Sequence, residues 1–320
     1  MVPITGRAVF RAGVALLPDF ATALAALETG ALHPISVNHL QARSVADTGS
    51  ERPPTPSNLE PNIMKYLSAA EARNLPGLRL VLTAHMPGPW GEAAKAVLSV
   101  RQVKYVPVAQ AAMEANDDLY AWTGVRNAPV AVLDEEPPQT TWLDILLLAE
   151  RLGSGSPLLP SDPHERALVL GFSTEICGAD GFGWSRRLQL MGQSSTKNPP
   201  SSGSFDMARM TRSYGVRPET IARAPARMIS IMNGLATQLR RQQTAGSDYL
   251  VGNQVTACDL YWACFAGFVA PLPPEDCPMP DFMRTNYTQV TPEIAAALEP
   301  VLLRHRDLIY RRHIGLPMDF

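Results

Sequence analysis

Apolar and polar positions change period several times along the chain, and each change marks a predicted element. Leu78–Thr83, LRLVLT, is a short apolar run bounded by Pro76 and Gly77, which predicts a strand. Residues 85–90, HMPGPW, read as a loop. In 91–101 the apolar positions Ala93, Ala94, Val97, Leu98 and Val100 form a stripe at helical spacing. Residues 104–109, KYVPVA, predict a second strand, and Pro107 points to a sheet edge because proline has no ladder donor. Strand, helix, strand in this order is the βαβ pattern of a parallel pair.

After a polar stretch at 116–118 come Arg126, Asn127, Ala128 and Pro129, then the apolar run Val130–Leu133. A proline at the first position of a buried strand costs no ladder bond, and a cis bond before it is one way to turn the chain sharply. Residues 134–138 are a turn, with room for a very short strand behind it. Residues 141–152, TWLDILLLAERL, predict a helix capped by Thr140 or Thr141 and stopped at Gly153. The run GSGSP at 153–157 reads as a linker.

Beyond the linker the periodicity is helical. Asp162, Pro163 and Glu165 start a helix that runs to about Cys177. Residues 193–205 are Ser- and Pro-rich and read as a long surface loop. Ile221, Met228, Ile231, Met232, Leu235 and Leu239 mark a helix over 219–243, which Pro225 either kinks or splits. A Pro-rich loop covers 272–280, and an amphipathic helix is expected over 292–312. Between them stands DYLVGNQVTACDLYW, residues 248–262. Thr256 is placed as an N-cap with Asp259 three residues on, so hydroxyl and carboxylate would satisfy orphan amides reciprocally and open a helix over about 256–268.

The wording of that stretch carries a resemblance. Leu250, Val251, Gly252, Thr256 and Asp259 match the segment that opens the central buried helix of the helical domain in glutathione transferases. The order strand, helix, strand, then Ala128-Pro129-Val130, then a helix ending LAERL resembles their thioredoxin-like domain, over roughly 78–152. The resemblance implies an α/β thioredoxin-like domain at 64–152 followed by an all-α helical domain at 158–320.

Residues 1–63 stand apart from both. Residues 49–61 are Pro- and Ser-rich and look like a flexible linker, so 1–63 are expected to be an extension. Early arginines and few acids give it a slight transit-peptide character, an organellar alternative to a cytoplasmic address. The composition of the whole chain, 46% hydrophobic and 18% charged with net charge −2, offers no electrostatic case for nucleic acid or an anionic membrane. No apolar run reaches the roughly 18 residues of a membrane span. Cys177, Cys258, Cys264 and Cys277 show neither a disulfide framework nor metal spacing, and the six histidines are scattered, so no metal is expected.

The resemblance also implies chemistry. Such a protein binds glutathione as co-substrate and adds its thiolate to a small apolar electrophile, or isomerises or eliminates from it, commonly as a homodimer. The backbone of the residue before the cis-proline, here Ala128 before Pro129, would pair with the tripeptide. Thr140 and Thr141 fall where the family holds the γ-glutamyl group, with Gln139, Glu135 or Glu136 as substitutes for the acid that Thr140 lacks. Arg126 and Lys104 are candidates for the glycyl carboxylate.

The family's activating Tyr, Ser or Cys is absent from 83–92, TAHMPGPWGE. That leaves Thr83 or His85 as catalytic candidates, backbone amides alone, or no thiol activation. Trp90 would contribute an indole N–H or pack on the ligand, and Glu92 would disfavour a thiolate close to it. Phe182, Trp184 and Tyr214, with Arg186 and Arg187, are expected in irregular segments lining the co-substrate site. The alternative function is a protein of the same fold that binds a ligand or partner without conjugation.

Overall fold

The computed structural model describes residues 64–112, 114–197 and 215–320, with 193–197 as backbone. The expected extension at 1–63, Tyr214 and most of the expected loop at 193–205 lie outside these residues.

Ser68 caps a one-turn helix α1 (Ala69–Ala72), and β1 (Leu78–Thr83) follows. Next come α2 (Pro89–Val100), β2 (Val106–Gln110), α3 (Asp117–Thr123), β3 (Val130–Leu133) and α4 (Trp142–Leu152). The sheet order is β2-β1-β3. β1 runs parallel to β2, with Arg79 opposite Val106 and Thr83 opposite Gln110, and antiparallel to β3, with Leu78 opposite Leu133. All six residues of β1 are buried because both faces are covered. Leu78, Leu80 and Leu82 face a core shared with α2, α4 and the helical half, while Val81 packs with Val108, Val130 and Leu119 on the other face. This alternation is the two-residue period of a strand. A backbone bridge between Ala131 and Gln139 supplies the expected very short fourth strand.

Local expectations differ from the structure at definable places. α2 begins at Pro89 rather than Gly91, because a proline at the first helical position gives up only an amide that has no intrahelical partner. Trp90 is therefore helical, not in a loop. The polar stretch at 116–118 opens α3, where Asp117 and Asp118 sit at the positive end of a helix stopped by Gly124 at φ +73°. β2 is displaced to Val106–Gln110, and Pro107 lies on a strand whose outer side, among the described residues, is bridged by Leu67.

The linker at 153–157 is fixed by a buried arginine. At the C-terminal end of α2, Arg101 donates to the carbonyls of Gly153 at 2.7 Å, Glu150 at 3.2 Å and Gly155, and pairs with the Glu150 carboxylate at 3.1 Å. Gly155 lies so close that a Cβ there would stand 2.1 Å from the Val100 carbonyl.

The helical half contains α5 (Pro163–Cys177), α6 (Phe182–Lys197), α7 (Pro218–Thr244), α8 (Ala257–Ala266), α9 (Asp281–Thr288), α10 (Pro292–Ala297) and α11 (Pro300–Ile309), ending in a π-turn Tyr310–Ile314. Pro225 lies inside α7, which continues through it. The single helix expected over 292–312 is instead broken at Leu298 and Glu299, since Pro300 lacks a donor and forces its predecessor out of helical geometry. Phe182, Trp184, Arg186 and Arg187 lie on α6 rather than in irregular chain. Its buried Ser185, Arg186, Arg187 and Gln189 interrupt the apolar stripe by which a helix is recognised. Among the described residues no helix is long and apolar enough to cross a membrane.

Every residue of α8 is buried, and its entry is organised by one carboxylate. Asp259 Oδ1 accepts from the Leu250 amide at 2.8 Å, and Oδ2 accepts from the Thr256 amide at 2.8 Å and the Thr256 hydroxyl at 2.7 Å. The capping box is present. His305 Nε2 of α11 stands 3.1 Å from Oδ1, while its Nδ1 meets the Asp248 carbonyl at 3.0 Å. Asp259→Ala would strand two buried amides, and it is expected to lower unfolding stability by roughly 3 kcal/mol or more. Thr256→Ala should cost about 1 kcal/mol. Urea denaturation midpoints of the two variants against the parent chain measure both.

Candidate functional site

The C-terminal end of β1, the first turn of α2 and the Ala128–Pro129 turn converge at one hollow. Tyr66, Leu82, Thr83, Met86, Gly88, Gly91, Glu92 and Ala128 line it. The Ala128–Pro129 bond is cis. Among the described residues, no backbone hydrogen bond engages the Ala128 N–H or carbonyl. An unpaired donor and acceptor beside a sheet edge can receive an extended peptide in strand fashion. Pro129 packs behind the hollow, in a seam with Trp90, Trp142, Tyr261 and Phe265.

A second hollow adjoins it at Glu92, between the two halves. α8 contributes Ala263 and Cys264, the chain beyond it contributes Phe268, Leu272, Cys277 and Met279, and Tyr287, Tyr310 and Met318 complete an apolar wall. Met318 belongs to a stretch that returns through a cis Leu316–Pro317 bond and is pinned by its amide to the Asp276 carbonyl at 2.8 Å. Burial pushes the Cys277 thiol up to about 12 and the Cys264 thiol higher, so neither is a nucleophile near neutrality.

Thr83 and Ala128 are brought together, but the Thr83 hydroxyl is buried and donates to Gln110 Oε1 at 2.8 Å, its cross-strand partner. His85 is exposed at φ +60° with its ring edge-on to Tyr66 at 5.6 Å, and it does not line the hollow. Trp90 does not line it either. Its indole N–H donates to the Cys177 carbonyl at 3.1 Å, and the Arg187 guanidinium lies over its ring at 3.9 Å. Thr141 is the N-cap of α4, accepting from the Asp144 amide at 3.1 Å and donating to the Asp144 carboxylate at 2.6 Å, beside half-buried Thr140. Arg126 pairs with Asp117 at 2.5 Å and covers the Tyr120 ring at 4.4 Å, and Lys104 is exposed before β2. Glu136 is held by Arg151 at 2.5 Å.

The α6 residues are structural. Phe182 packs edge-on to Trp262 at 5.3 Å. Arg186, fully buried, donates to the carbonyls of Phe268, Asn286, Tyr287 and Gln289 at 2.9–3.1 Å and so closes the end of α9. None of the α6 residues lines the apolar hollow.

What sequence reasoning missed is the charge between the hollows. Glu92 is buried, and Lys95 one turn later approaches its Oε2 at 2.9 Å. Lys95 also meets the Asp319 carboxylate at 3.1 Å. Burial raises the Glu92 carboxyl to about 7 despite the pull of Lys95. Burial alone would lower the Lys95 ammonium, but Glu92 and Asp319 reverse this and hold it above its ordinary range. A Glu and a Lys three apart within an apolar stripe were the only signal available. Among the described residues no group of three or more His, Cys, Asp or Glu is placed to hold a metal ion.

No protein-family model and no curated protein matches the sequence. Solved structures do match by fold. A glutathione S-transferase from Methylobacterium radiotolerans, solved with glutathione sulfonate, is similar at a TM-score of 0.51 and 17% identity, over 74% of this chain and 92% of that one. A glutathione S-transferase domain-containing protein from Marinobacter aquaeolei is similar at 0.52 and 16% identity, over 74% of this chain and 100% of that one. At these identities the likeness shows the fold: thioredoxin-like, then helical, as the residues implied.

The pH dependence of stability has a definite sign here. The Glu92 carboxyl rises on folding from its ordinary 4.5 to about 7, so its favourable contribution is complete at low pH and is lost as pH climbs through that range. Lys95→Met leaves the carboxylate buried without its cation. The variant is expected to be roughly 3–5 kcal/mol less stable than the parent chain at pH 8, with the gap narrowing toward pH 5 as Glu92 takes up a proton. Thermal or urea unfolding across that range measures it.

Proposed function

We propose that this glutathione-transferase-fold chain binds glutathione in the hollow beside Ala128 and presents its thiol to a small apolar electrophile in the adjoining hollow. The observation that carries this is the unpaired Ala128 backbone lining a cavity where β1, α2 and the cis turn meet. The Ala128 N–H and carbonyl would pair with the cysteinyl unit of the tripeptide. Thr141 and the amides opening α4, with Thr140 or Gln139 beside them, would hold the γ-glutamyl carboxylate at the positive end of that helix. Arg126 or Lys104 would meet the glycyl carboxylate. Thr83 lies in the hollow and His85 at its approach, and either would assist the thiol by donating a hydrogen bond to it. Glutathione supplies a sulfur nucleophile, which forms a C–S bond at the electrophilic carbon as the leaving group departs or a double bond accepts the electrons. On this reading residues 64–152 bind glutathione and 158–320 shape the co-substrate site, in a cytoplasmic homodimer.

One observation favours a second reading, a binding protein of the same fold without conjugation: the Thr83 hydroxyl is already donated to Gln110. Calorimetric titration with glutathione, followed by ultraviolet titration of the bound thiol, separates the two. Binding with a depressed thiol pKa supports the enzyme, binding with an ordinary one supports the second reading, and no binding removes both. On the enzyme reading, in which the Thr83 hydroxyl turns from Gln110 to the bound sulfur, Thr83→Ala is expected to lower kcat/KM roughly tenfold or more, the worth of one hydrogen bond to a charged sulfur. His85→Ala, outside the hollow, should have the smaller effect.

A further inference from the structure

A first-turn glutamate on a helix is ordinarily exposed, where it meets the helix dipole without losing its hydration. Glu92 is one turn inside α2, its amide donating to the Gly88 carbonyl at 2.9 Å, and it is only 8% exposed. It lines both hollows, the one beside Ala128 and the apolar one. No other carboxyl and no imidazole lines either of them among the described residues. Burying an ammonium–carboxylate pair is seldom a gain in stability over apolar side chains of the same volume. Fold stability therefore gives no reason for a carboxyl at this junction.

We propose that Glu92 is the proton carrier of the reaction: it takes the proton from the thiol in the first hollow and delivers it to the departing or accepting atom in the second. This rests on the reading that glutathione occupies the hollow beside Ala128. In the forward step the Glu92 carboxylate removes the S–H proton as the sulfur electron pair forms the C–S bond. The pair displaced from carbon leaves with the leaving group or settles on the neighbouring carbon of a double bond. Glu92, now a neutral acid, returns the proton to that atom. Net, one proton passes from sulfur to the leaving group or carbon, Glu92 ends as it began, and no oxidant or reductant is needed.

The arrangement also removes the conflict of placing a carboxylate beside a thiolate. The two groups share one proton, so they are never both anionic. Lys95 is the positioning residue, holding Oε2 at 2.9 Å and compensating whichever group carries the charge. Besides Lys95, the charged and titratable groups around this pair are Asp319, Tyr66, Tyr105, Tyr310, Cys264, Cys277 and Arg306. Burial holds the phenols and thiols among them protonated well past neutrality, with Tyr105 pushed up to about 12. The Glu92 carboxyl, lifted to about 7, is matched to proton transfer near neutral pH.

The test uses the full chain, glutathione and an apolar α,β-unsaturated ketone, whose α-carbon takes up the returned proton, with glutathione binding measured separately by calorimetry. Glu92→Gln is expected to keep glutathione affinity within about threefold and to lower kcat/KM by roughly a hundredfold, the common worth of a general acid–base. The limb of the pH–rate profile near neutrality should vanish with it. A variant with the parent rate and profile overturns the role of Glu92 while leaving glutathione binding intact. Parent chain that fails to bind glutathione overturns the underlying reading, and this role with it. If the Gln variant does not fold, isotope-edited infrared spectroscopy of parent chain carrying labelled glutamate decides. A buried carboxylic-acid band that titrates near neutrality and shifts when S-methylglutathione is added supports the role, and a band indifferent to that ligand overturns it.

Discussion

One buried carboxylate holds the frame on which the rest depends. Asp259 is fully buried, and it is tolerable there because it is saturated: two amides and a hydroxyl donate to it while a histidine ring faces it. These contacts tie the chain at 248–250 to the start of α8 and the side of α11. α8 is thereby set at the centre, where all ten of its residues are buried. A charge in that position without its donors would cost several kcal/mol, so register and polarity at 250–259 must be correct together.

The α/β half is seated on that helix through α2. Trp90 bonds across to the Cys177 carbonyl and packs edge-on to Phe265 at 4.8 Å. Gly183 permits the approach of α6, since a Cβ there would stand 2.3 Å from the Phe265 ring. Aromatic rings, a glycine and the stacked Arg187 make the contact between the halves dense and mostly apolar. Glu92 and Lys95 are the exception in it. Glu92 lines both hollows and not the packed seam, which gives one member of this buried ion pair access to a ligand.

The loop between β1 and α2 carries no Tyr, Ser or Cys, and the hydroxyl just before it, that of Thr83, is turned toward Gln110. Thiol handling in this geometry would therefore shift from a hydrogen-bond donor that stabilises a thiolate to a carboxyl that accepts its proton. The two strategies place the negative charge differently. A donor leaves it on sulfur, whereas an acceptor of suitable pKa moves through neutrality and can return the proton later in the reaction. Met318 on one wall of the apolar hollow and Asp319 on Lys95 make the stretch at 315–320 part of the same arrangement.

Local physics was legible in the sequence. The apolar run of β1, the stripe of α2, the Thr141 cap, the Thr256–Asp259 box and the proline opening β3 are all written within a few residues, because hydrogen-bond capping and side-chain period act over that range. α6 was hidden because its fully buried Arg186 is satisfied by carbonyls about a hundred residues away, such as that of Asn286. α3 was hidden because seven residues carry too few apolar positions to show a period. Trp90, Arg126 and Thr83 could be named as candidates from their neighbourhoods. Whether their polar atoms were free was settled by Cys177, Asp117 and Gln110, which only folding brings near. The same holds for Glu92. By sequence it is an acid near a helix start, and its burial, its partner Lys95 with Asp319 beyond, and its place between two hollows arise from packing of segments more than two hundred residues apart. The sequence by itself determines elements and caps, since those are short-range. The tertiary structure decides which charges lose their water, since desolvation is a property of everything that surrounds them.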